Sequence, residues 1–133
     1  MMLINTSHRD ATIDDVSLQH VDDGLTLVGW VLHDVGKLST GVEEPFPPAD
    51  ARAPSSRTVQ PSVTRESSTG ALLGDVELVV GIQITSPGAL SANGVRISYT
   101  DADGHHTMLF ALTMVLCAPR SDYPGGCSAD KPT

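Results

Sequence analysis

Basic residues are few in this chain, and they never gather. Arg9, Lys37, Arg52, Arg57, Arg65, Arg96, Arg120 and Lys131 stand singly among 133 residues that carry a formal net charge of -8. A phosphate backbone is held by a basic stripe or patch, so nucleic acid is not an expected partner of so acidic a protein. Long apolar runs are missing as well. No stretch approaches the roughly 18 apolar residues of a membrane-spanning helix, although an ectodomain of an anchored protein would read the same way. The opening residues, Met1 to Asp10, lack the basic start and apolar stretch of a secretory leader. Aromatic residues make up 4% of the chain, which leaves Val, Ile and Leu to fill a core that the 40% hydrophobic content is able to build.

Motifs of catalysis are equally scarce. No serine sits in a Gly-x-Ser-x-Gly turn, and no glycine-rich loop opens a helix to cradle phosphate. Glu43 and Glu44 lie beside Pro45 in a segment unable to fix the separation that paired catalytic carboxylates need. The expectation is a protein that is not an enzyme and uses no cofactor. Cysteine is limited to Cys117 and Cys127. Their intervening Ala-Pro-Arg-Ser-Asp-Tyr-Pro-Gly-Gly is rich in turn formers and is able to fold back. A disulfide here would close a small loop, stabilising by roughly 3 kcal/mol in the chain-entropy account, and would imply an oxidising compartment. Two lone cysteines do not match structural zinc spacing.

What the sequence does hold is alternation. Val76, Leu78, Val80, Ile82 and Ile84 interleave with Glu77, Val79, Gly81, Gln83 and Thr85, and Val95, Ile97 and Tyr99 with Arg96, Ser98 and Thr100. Met108, Phe110, Leu112, Met114 and Leu116 repeat the pattern. A period of two puts successive side chains on opposite faces of a strand. Strands are therefore expected at 14–20, 25–33, 75–85, 94–100 and 106–117, with one or two more within 1–10 or near 56–64. Between 12 and 21 the apolar residues Ile13, Val16 and Leu18 keep no strict period, and a helix capped by Thr12 competes with a strand there. Asp23-Gly24 reads as the turn of a hairpin joining the first two strands. Ser86 to Gly94 reads as a connection.

Residues 38–70 differ in composition, with Pro45, Pro47, Pro48, Pro54 and Pro61 among Ser and Thr, and Phe46 as the one aromatic. Such a segment is expected to be a long, disordered surface loop inserted in a single domain spanning 1–133. The core would come from 11–37 and 71–117, with a tail at 118–133. Short strands separated by Gly, Pro and Asp turns favour an all-β, antiparallel β-sandwich of immunoglobulin- or fibronectin-like architecture. Trp30 would lie in its middle. The Cys-Trp-Cys spacing of true immunoglobulin domains is absent.

The local cluster with most chemistry is Asp101-Ala102-Asp103-Gly104-His105-His106-Thr107-Met108. Asp101, Asp103, His105 and His106 are candidate metal ligands, imidazole suiting copper and carboxylate harder ions. Adjacent histidines on a strand point to opposite faces, however, and the Glu that closes a calcium loop is missing. The competing reading is a hairpin tip. His20, Asp22 and Asp23 form a second polar corner, which would lie at the same end if the two turns coincide, and His33-Asp34 closes a strand. Met108 and Met114 are expected to share one strand face as core residues. The functional expectation is a non-enzymatic extracytoplasmic binding or spacer module that engages a protein partner. One alternative is a cytoplasmic or virion-type subunit that self-associates through its β edges. Another is a small metal-binding protein that uses His105 or His106.

Overall fold

The computed structural model describes residues 1–34, 46–63, 65–72, 74, 76–125 and 127. The chain is nearly all β, and its strands pair antiparallel throughout. In order they are β1 (Met2–Leu3), β2 (Ala11–Leu18), β3 (Leu25–Asp34), β4 (Thr58–Val59) and β5 (Val76–Ile84). β6 (Gly88–Ala92), β7 (Val95–Asp101), β8 (Gly104–Phe110) and β9 (Met114–Ala118) follow, and a short 3-10 helix spans Arg120–Asp122. The short β1 and β4 fall where extra strands were expected. Among the described residues no helix is long and apolar enough to cross a membrane.

Among the described residues the strands form the sheets β1-β5-β3 and β4-β2-β7-β8 and the pair β6-β9. The alternation of β5 places Val76 and Leu78 inward, opposite Leu32 of β3 and beside Leu3 of β1. Ile13 and Val16 of β2, Val59 of β4, and Val95 and Ile97 of β7 join them in one apolar core. That two sheets contribute to one interior is the arrangement a half-apolar strand pattern favours, since each sheet hides one face. Trp30 stands at the margin, half-buried, with the Arg57 guanidinium 4.8 Å over its ring, rather than in the middle.

The strand expected at 14–20 forms over Ala11–Leu18, and its broken period has a cause. The pairing of β2 with β7 slips between Ile13 and Asp15, so a β-bulge lets Ile13 and Val16 both face the core although they are three apart. Other expectations need correction. β2 and β3 do not form a hairpin. Each pairs in its own sheet, and the Asp23-Gly24 turn crosses between sheets. The connection 86–94 contains β6, and the expected strand 106–117 is two strands in different sheets. They break at 111–113, where the Leu112 N–H donates to the Phe110 carbonyl at 2.9 Å. Met108 and Met114 therefore do not share a face.

The inserted loop is also more structured than its composition suggests. Residues 38–45 and Thr64 lie outside the described residues, but 46–59 form a strap across the sheets. Phe46 covers Gly29 and Gly81, which are register partners of β3 and β5. The Arg52 N–H donates to the Leu32 carbonyl at 2.8 Å, along the edge of β3, while its side chain bonds Asp34 and the Thr58 carbonyl. β4 then pairs with β2 and buries Val59. Cys117 and Cys127 form a disulfide with Cα atoms 5.7 Å apart, tying the segment after β9 back to that strand. The rest of the tail, Gly126 and 128–133, lies outside the described residues.

Candidate functional site

The turn between β7 and β8 is built by Asp101. Its Oδ1 accepts from the Asp103 N–H at 2.8 Å, and Gly104, at φ 118°, takes the left-handed conformation that closes the turn. Beyond it the two histidines part, as neighbours on a strand must. His106 turns inward, stacks on Tyr99 with ring centroids 5.1 Å apart, and sets Nε2 2.9 Å from Asp101 Oδ1. A carboxylate only accepts, so Nε2 carries the proton in this contact. His105 turns outward, with Nδ1 2.7 Å from Thr100 Oγ1. The Thr100 hydroxyl donates its one proton to Asp14 Oδ2 at 2.6 Å, so His105 Nδ1 is the donor to Thr100.

These bonds hold the Asp101 carboxyl below its ordinary value of 3.8, first through the backbone N–H of Asp103 and next through the His106 side chain. Of the four candidate metal ligands, the structure brings only Asp101 and His106 together. Asp103 contributes its backbone to the turn, and His105 lies on the other face beside Asp14. Among the described residues no group of three or more His, Cys, Asp or Glu is placed to hold a metal ion.

Beside this turn lies an open cleft of about 160 Å³. Ile13, Val59 and Ile97 line it from the core. The segment 3–7 forms one wall, and Tyr99, Asp101, Met108 and Phe110 form the other. Asn5 fixes the first wall. Its Nδ2 donates to the carbonyls of Arg9 and Val59, at 2.8 and 2.9 Å, and its Oδ1 accepts from the backbone and hydroxyl of Ser7. Residues 3–7 are thus a built wall of the cleft. Asn5 and Tyr99 are site residues that sequence reading missed. Asn5 was signalled only as an isolated amide in a polar stretch, and Tyr99 reads as one more alternating strand residue.

β8 borders the cleft and ends its sheet. Among the described residues no strand pairs with its outer side. It carries no Lys, no Pro and no register shift against β7, the devices that usually blunt an exposed edge. Met108 and Leu109 are 39% and 59% exposed.

The other polar positions fall elsewhere. Asp22 Oδ2 accepts from the Ser91 backbone at 2.8 Å and clasps β6. The corner holding His20, Asp22 and Asp23 adjoins Gly94, at the opposite end of β7 from Asp101, so the two turns do not build a shared site. His33 is buried, with Nε2 3.0 Å from Asp50 Oδ1. That contact has the distance of an ion pair but is misaligned for a hydrogen bond, and neither ring nitrogen has a hydrogen-bond partner among the described residues. Glu43 and Glu44 lie outside the described residues, and Cys117 is committed to its disulfide. No protein-family profile, curated protein or solved structure matches the chain.

Proposed function

We propose that this chain is a non-enzymatic binding module of immunoglobulin- or fibronectin-like sandwich type that works outside the cytoplasm and docks an extended protein segment along β8. The observation that carries this reading is the outer edge of β8, unpaired among the described residues, running beside the cleft. A strand added to such an edge gains main-chain hydrogen bonds, while pockets along it select alternate side chains. The size of the cleft fits that role. At about 160 Å³ it is smaller than the roughly 300–1,000 Å³ of small-molecule sites, and it suits a single apolar side chain. The compartment rests on the Cys117–Cys127 disulfide, since such bridges persist where thiols are oxidised.

The test is fluorescence anisotropy with labelled peptides of about nine residues, a full strand length, in which Leu, Val and Thr alternate. Micromolar binding is expected, and Met108→Asp should weaken it at least roughly tenfold by placing a charge at the apolar wall, without lowering the melting temperature. Absence of binding to every peptide, with dimers that disappear in Met108→Asp, would instead make β8 a self-assembly edge.

A further inference from the structure

The side chains along β8 specify its occupant further, an inference that rests on reading this edge as a docking strand. The inward positions of β8 are Gly104, His106, Met108 and Phe110, which face Asp101, Tyr99, Ile97 and Val95 of β7. An added strand would set its own inward residues beside these, at every second position. Beside Met108 it meets the cleft, whose core-side lining of Ile13, Val59 and Ile97 favours an apolar group.

Beside Gly104 it meets no side chain, and even a Cβ placed there would touch nothing within 4 Å. Asp101 lies directly across this gap and lines the same cleft. An added strand stands two strand spacings from β7, about 10 Å. A long side chain reaching over Gly104 spans that distance to a carboxylate. Asp101 Oδ1 already accepts from Asp103 and His106, yet a carboxylate offers about four lone-pair sites, so a further donor is accommodated.

Charge over the whole chain points the same way. A second copy would bring another -8 to the edge, whereas a basic segment is drawn to it. We infer that the docking segment is basic, with an Arg or Lys that crosses Gly104 to pair with Asp101 and an apolar residue four positions away that enters the cleft beside Met108.

The probes are fluorescein-labelled alternating peptides of about nine residues with Arg and Leu four positions apart. Three companions replace the Arg by Gln, replace it by Glu, or move it by one residue. The Arg peptide should bind roughly tenfold tighter than each companion, because a one-residue shift turns the side chain to the opposite face. Asp101→Asn should abolish the preference for Arg over Gln, with the melting curve checking that the fold persists. Equal binding of the Arg and Glu peptides, or an Arg preference that survives Asp101→Asn, would overturn the basic-segment inference while leaving β8 as a docking edge. If no peptide binds at about 1 mM, or the chain dimerises through β8, the docking reading falls with it.

Discussion

Asp101 links turn, cleft and charge. One carboxylate shapes the β7–β8 turn through the Asp103 N–H and orients His106, while facing the cleft. Both bonds favour its ionised form, so its folded pKa lies below the ordinary 3.8 that it regains on unfolding. The folded state then binds fewer protons than the unfolded one near pH 4. Its contribution to stability is therefore present above that pH and is lost as pH falls through the depressed value. The melting-temperature gap between the native chain and Asp101→Asn should be open at pH 6 and should close as pH drops below about 4. A gap that stays constant down to pH 2 would mean that the turn is held by something other than the carboxylate. Asn5 makes the complementary point. Its amide joins the lead-in to β4 through a carbonyl 54 residues away in sequence, and a partner that remote leaves no local trace in the pattern of residues.

Among the elements, the strap 46–59 departs furthest from the composition-based expectation. Its prolines and serines signal disorder, yet Phe46 finds a cradle where Gly29 and Gly81 face each other across β3 and β5. A Cβ on Gly81 would lie 2.5 Å from the Phe46 ring. Gly81→Val should therefore cost about 1–3 kcal/mol, as overpacking does, when unfolding is followed by chemical denaturation. In a Phe46→Ala background the same change should cost nothing or stabilise, since valine suits a strand better than glycine. Additive effects in that cycle would show that the ring does not rest on Gly81. The strands themselves were legible because alternation is a local property, and β3, β5 and β7 fall within a residue or two of their expected bounds. Their partners were not. A tight-turn signal at Asp23-Gly24 does not say whether the chain reverses within a sheet or crosses to another. The apolar run from Met108 to Leu116 likewise hides a break that only the pairing of β6 with β9 makes necessary.

At the scale of the molecule, the described residues close some edges and leave β8 unpaired on its outer side. Arg52 bonds the rim of β3, β4 covers the end of β2, and the disulfide draws the segment beyond β9 back to its strand. The all-β class, the disulfide and the divergence of His105 from His106 could all be read from residue types and spacing. The cleft could not, because its walls come from the lead-in, β2, β4, β7 and β8, which meet only through the core. Docking of an extended segment on β8 as a further strand is read out by amide hydrogen exchange of residues 104–110. In the free protein these amides should exchange faster than those of β7, which has partners on both sides. Saturation with the Arg-and-Leu peptide should slow β8 exchange roughly tenfold or more while leaving β6 and β9 unchanged. Binding that leaves β8 exchange unaltered would rule out docking along β8 and place the contact elsewhere on the chain.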